Sequence, residues 1–150
     1  MDFPHSFLLF YSMLVCYNLG IIWFGQIVVY PLFAKVGSAD YVAYHRFYSS
    51  RIPLPVILPG FACLLLPIAL IFLRPASVPL MLALANAACG LLALWVTVAL
   101  EIPRHAQLEQ DGKQPEVIQE LVRYNWPRTL SISGSAGFTL AMVMTAFSPA

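Results

Sequence analysis

VPLMLALANAACGLLALWVTVAL, positions 78–100, is the stretch that decides the fold. It contains no Asp, Glu, Lys, Arg or His. About 20 such residues, at 1.5 Å each, cross the roughly 30 Å hydrocarbon core of a bilayer. Working outward, the tight tetrapeptide Arg74-Pro75-Ala76-Ser77 precedes it and the polar segment Glu101-Ile102-Pro103-Arg104 follows. Three further apolar runs of similar length stand at about 7–30, 52–73 and 129–147. The pattern predicts an all-α protein: a four-transmembrane-helix antiparallel bundle forming one domain over 1–150.

Composition supports lipid as the solvent. Of 150 residues, 60% are hydrophobic and 10% charged, with mean hydropathy +0.78. A soluble domain is about 25% charged. A net charge of +1 carries no electrostatic footprint for nucleic acid. Cys16, Cys63 and Cys89 each sit in an apolar run with no C-x-x-C pair, so they read as small packing residues. Met1-Asp2-Phe3-Pro4-His5 lacks a basic n-region, and the apolar run after it is too long for a signal core, so it reads as a retained span.

The second run carries Pro53, Pro55, Pro59 and Pro67. The first two suit a helix start, and the others should kink the span. The connection 74–77 makes spans two and three a hairpin. Residues 38–50 read as an interfacial helix with Tyr41, Tyr44, Phe47 and Tyr48 at helical spacing. Residues 115–124 read as a second short amphipathic helix.

Lys35, Arg46 and Arg51 lie in the first connection, and Arg104, Lys113, Arg123 and Arg128 in the third. Only Arg74 of the 8 basic residues lies on the other side. The positive-inside rule then places both basic loops in the cytoplasm and both termini in the periplasm or exterior. Gly20, Gly25, Ala83, Ala87, Gly90, Gly134 and Gly137 are the expected helix–helix contacts, with Ser131, Ser133, Ser135 and Thr139 adding hydrogen bonds.

Polar residues inside the spans are Asn18, Gln26, Asn86 and Thr97. They read as interhelical hydrogen bonds or as the lining of a polar cleft. Gln26 lies one turn before Tyr30, on the same face. No Asp, Glu, Lys, Arg or His sits in the central part of any span, which argues against a proton-coupled pump. The denser cluster is at the cytoplasmic mouth. Glu101 and His105 are spaced for one helix face, and His45, Asn125 and Arg128 fall on the same side of the membrane. Three readings stay open. The first is interfacial anchoring, with Pro127 in a first helical turn, Asn125 as cap and Arg128 reaching phosphates. The second is a ligand or proton-transfer site: His105, Glu101 and His45 as catalytic groups, and Asn125, Arg128, Gln26 and Tyr30 as binding groups. The third is a metal site of His45, His105 and Glu101, non-haem or haem.

Four segments in order carry a resemblance: Gln26-Ile27-Val28-Val29-Tyr30-Pro31-Leu32-Phe33, Tyr44-His45, Ile102-Pro103-Arg104-His105-Ala106-Gln107-Leu108 and Asn125-Trp126-Pro127-Arg128-Thr129. Together they resemble small bacterial four-helix membrane proteins of unknown function, distantly similar to the anthrone oxygenase-like family. The resemblance implies a four-helix integral membrane protein of the bacterial inner membrane, with His45, His105, Asn125 and Arg128 as the matching polar positions. That family often carries a glutamate in its second span, whereas 51–74 contains no acidic residue.

Three functions compete. The first is a membrane protein that binds or converts a hydrophobic, for example aromatic, ligand at the cytoplasmic end of the bundle. The second is a non-catalytic accessory subunit of a larger respiratory or photosynthetic assembly. The third is a transporter or channel, disfavoured by the missing mid-membrane charge. The expected partners are the lipid bilayer and either other membrane proteins or further copies of the chain.

Overall fold

A computed structural model describes residues 2–148. Four helices are long and apolar enough to cross a membrane: α1 (Phe3–Phe33), α3 (Pro53–Leu73), α4 (Leu80–Asp111) and α5 (Pro115–Phe147). A short helix, α2 (Tyr41–Arg51), follows α1. No strand occurs among the described residues. Each long helix packs against two others, giving the ring α1–α3–α4–α5.

Three apolar layers fix the up–down order. Leu8 and Tyr11 meet Leu70, Val78, Ala83 and Met142 at one end. Ile22, Leu64, Ala93 and Ile132 form the middle. Tyr30, Phe33, Tyr41, Leu108, Ile118 and Leu121 meet at the other, basic end. Outward faces stay apolar, with Met13 74%, Phe72 79% and Met81 72% exposed. An apolar surface of this extent marks contact with lipid or with other membrane proteins. The chain is an integral membrane protein by these criteria.

Inside the ring, polar groups bond to one another. Tyr11 donates to Asn86 Oδ1 at 2.8 Å, and the Asn86 amide donates to Thr139 Oγ1 at 2.8 Å and to the Ser135 carbonyl at 3.0 Å. Asn86 is fully buried. Its hydrogen bonds tie α1, α4 and α5 together where water is absent. At the far end Arg74 closes the α3–α4 hairpin on the carbonyls of Ile71 and Val78. At the basic end Lys113 Nζ donates to the carbonyls of Ala34 and Val36, satisfying the C-terminal end of α1.

Three of the four long helices widen by one residue near the basic end, in the π-turns Gly25–Val29, Pro53–Ile57 and Thr97–Glu101. Each ends with an amide reaching back five residues: Tyr30 to Gly25, Leu58 to Pro53 and Ile102 to Thr97. The next residue is in every case a proline: Pro31, Pro59 or Pro103. Proline lacks the N–H and its ring collides with the carbonyl four residues back. Inserting one residue into the turn moves that carbonyl aside. At Pro59 the carbonyl four residues back is taken by a side chain: Tyr17 donates to the Pro55 carbonyl at 2.9 Å.

Several sequence expectations change here. Residues 115–124 do not form a separate helix but the first turns of α5, which runs unbroken through Pro127. Asn125 is therefore mid-helix, not a cap. The helix containing 78–100 continues to Asp111, so Glu101 and His105 share one continuous rod. Of the glycines, Gly90 and Gly134 make close contacts: a Cβ would lie 3.0 Å from the Leu64 carbonyl at Gly90 and 3.3 Å from Cys89 Sγ at Gly134. Gly20, Gly25 and Gly137 have nothing within 4 Å of that position, so they are not contact points between helices. Cys16 faces outward instead of packing inside.

Candidate functional site

The site forms where the wide turns of α3 and α4 face Tyr30 of α1 and Arg128 of α5. A cavity of about 130 Å³ lies there. Its polar wall is Tyr30, Tyr48, Thr97, Glu101, His105 and Arg128, and its apolar wall includes Ile52, Val56 and Phe61. The π-turn in α4 ends on Glu101, and His105 follows one turn later on the same side.

Glu101 is 2% exposed, and neither carboxylate oxygen has a hydrogen-bond partner. Arg128 lines the same cavity with its Nε buried and unpartnered. Among the described residues no ion pair joins them, and two other basic groups of this end have acidic partners. Arg104 pairs with Glu120 at 3.0 Å and stacks on Tyr124, and Arg46 pairs loosely with Glu109 at 3.8 Å. A buried carboxylate without a close hydrogen-bond partner is costly, and Tyr30 and Arg128 are the polar groups nearest to this one.

Behind Arg128 stands a chain of amides. Arg128 Nη1 donates to Asn125 Oδ1 at 3.3 Å, and Asn125 Nδ2 donates to Gln26 Oε1 at 2.9 Å. Thr129 Oγ1 donates to the same oxygen, and Gln26 Nε2 donates to the Val122 carbonyl at 3.0 Å. Gln26 and Asn125 therefore bridge α1 to α5 and aim Arg128. They do not line this cavity themselves.

His45 and His105, which the sequence could not place relative to each other, touch. His45 Nε2 and His105 Nδ1 are 3.1 Å apart, and His105 Nε2 lies 3.5 Å from the Tyr30 hydroxyl. One imidazole must donate to the other, so the hydrogen bonds of the row Tyr30–His105–His45 run in a direction set by the tautomers, and the row ends on His45 Nδ1, which is buried without a partner. Phe33, Tyr41 and Tyr48 pack against His45. Burial holds His45 below the usual imidazole value, with Glu109 acting in the opposite direction. Burial also pushes Tyr48 and Tyr41 up to about 12, so both are neutral hydroxyls at physiological pH.

The metal arrangement does not assemble. Among the described residues no three His, Cys, Asp or Glu side chains converge on a common point. The imidazole nitrogens of His45 and His105 that face each other are spent on their mutual bond. A cavity of about 130 Å³ matches roughly one six-membered ring, judged by an engineered cavity of ~150 Å³ that holds benzene, which leaves no room for a haem macrocycle.

Thr97, expected from the sequence as a possible cleft residue, lines the cavity, whereas sequence reasoning overlooked Tyr48 as a lining group. Tyr48 follows His45 by three residues and Tyr41 by seven, one face of α2, a signal that was present but read as headgroup anchoring. Comparison with protein-family models, curated proteins and solved structures finds no match for this chain.

Proposed function

We propose that this chain binds, or converts by proton transfer, a small hydroxylated ring compound that reaches the cavity from the lipid. The observation that carries the reading is Glu101, a buried carboxylate with both oxygens free, sharing a ring-sized cavity with the unpartnered Nε of Arg128. A ring hydroxyl would donate to Glu101 while a ring oxygen accepts from Arg128, with Tyr and Phe side chains flanking the ring faces. Such charge-assisted bonds are about twice as strong as neutral ones. His105, which lines the same cavity and is held by Tyr30 and His45, is the group that would take or give the ligand's proton. The seven-to-one distribution of basic residues supports a bacterial inner-membrane orientation with this end cytoplasmic.

The test is native mass spectrometry on protein extracted in mild detergent from its own host, with a visible absorption spectrum of the same sample. The expected result is extra mass of a small organic molecule on the chain, absent from Glu101→Gln and Arg128→Ala. Fixed stoichiometry with another polypeptide and no small molecule would sink the reading in favour of an accessory subunit.

A further inference from the structure

A second cavity, of about 240 Å³, lies between α1 and α3. Its wall is mainly apolar and includes Ile21, Phe24, Gly25 and Pro55. It shares Tyr30, Tyr48, Val56 and Arg128 with the ring-sized cavity. The two spaces therefore adjoin across these four side chains; Glu101 and His105 line only the smaller one, and Ile21, Ile22 and Phe24 only the larger, whose one further polar side chain is Asn18. Resting on the proposed binding reading and deepening it, we propose that the ligand is an amphiphile: a hydroxylated ring at Glu101 and Arg128 bearing one hydrocarbon chain, which occupies the α1–α3 groove and leads out towards the bilayer.

Three observations point to a chain there and not to a larger ring or a second protein. The groove continues the ring cavity through shared wall residues. Four of its lining residues, Gly25, Val29, Pro55 and Val56, lie in the two π-turns Gly25–Val29 and Pro53–Ile57. Gly25 leaves open the space where a side chain would stand, with nothing within 4 Å of its missing Cβ. Arg128 sits at the junction, where it can hold a ring oxygen while the chain passes. Apolar occupancy of such a groove contributes about 0.8 kcal/mol per buried methylene in general, so chain length should govern affinity.

Gly25→Leu tests this without disturbing the ring site, because the added side chain meets open space and not a neighbouring helix. The full-length protein in nanodiscs is labelled with two photoreactive probes, a diazirine-bearing phenol and a 4-decylphenol with the diazirine in mid-chain. On wild type the decyl probe should label α1 and α3 around Phe24 and Val56, competed by unlabelled 4-decylphenol, and should bind at least about tenfold tighter than phenol. Gly25→Leu should remove most of that advantage and leave phenol labelling near Glu101 unchanged. Glu101→Gln should abolish labelling by both. If phenol labels the cavity but the decyl chain labels elsewhere, or Gly25→Leu changes nothing, the amphiphile inference is wrong while the binding reading stands. If chain labelling of the groove persists in Glu101→Gln and phenol does not compete, the groove holds ordinary lipid only and the inference fails. If neither probe labels the cavity, the binding reading fails with it.

Discussion

Glu101 is the residue at which the proposed chemistry and stability meet. Its carboxylate is buried without a partner, and burying a charge unpaired is among the costlier acts in a protein. Glu101→Gln should therefore keep or raise the melting temperature in detergent while removing ligand binding, a separation that differential scanning fluorimetry beside a binding assay would reveal. A lower melting temperature would mean that the carboxylate is structural. His45 makes a pH-dependent counterpart. Its folded pKa is depressed below the ordinary 6.5, so the unfolded chain takes up the proton first. Stability should be level above about pH 6.5 and decline as pH falls below it. His45→Gln should flatten that slope in melts recorded across the range. The identity of these residues was legible in the sequence, because polar side chains near apolar spans are few. Their distances were not: sequence places His45 and His105 60 positions apart, and only the packing of α2 on α4 sets the 3.1 Å between them.

At the scale of elements, the fourth helix and the wide turns carry most of what sequence reading missed. Hydropathy located four spans correctly but truncated α4 and α5, because their basic-end turns are polar on one face and hydropathy averages both faces. Pro127 looked like a helix start, yet α5 passes through it, with Ser131 Oγ donating to its carbonyl at 2.8 Å. The π-turns have a sequence signal in Pro31, Pro59 and Pro103, but a proline alone does not say whether a helix will kink or widen. Replacing Pro103 by Ala removes the demand for the wide turn. The expected outcome is an α4 of equal or greater stability in which Glu101 no longer faces the cavity and ligand binding is lost; hydrogen exchange of the Thr97–Glu101 amides would report the rearrangement. Asn125→Ala acts differently, leaving Gln26 and Arg128 short of partners in the α1–α5 seam. It should cost about 1–3 kcal/mol in unfolding free energy and weaken binding through a misdirected Arg128.

The whole molecule was legible in outline from one uncharged run and the placement of basic residues. Both basic connections lie at one end, gathered by Phe33, Tyr41, Leu108 and Val117, and the Arg74 hairpin lies at the other. Single cysteines at Ser38 and Glu116 in a background without native cysteines should react with an impermeant thiol reagent from the same side of a sealed vesicle, and one at Ser77 from the opposite side. What holds the ring tight is close backbone approach at a few points. At Gly90 a methyl group would stand 3.0 Å from the Leu64 carbonyl, backbone that cannot swing away as a side chain would. Gly90→Ala should therefore destabilise the bundle by about 1–3 kcal/mol, read from unfolding in mixed micelles, whereas Gly137→Ala, which meets nothing, should not.

The belt of wide turns also changes how the chain can evolve. In an α-helix each residue advances about 100° around the axis, so one surplus residue sets the faces before and after it out of phase. Two of the four rods, α1 and α4, are thus divided into independently phased parts, an anchor and a head, whereas in α3 the wide turn opens the helix. Substitutions that retune the head need not respect the pattern that keeps the anchor packed. One membrane scaffold of this kind can therefore carry different chemistries at its rim while its foundations stay the same.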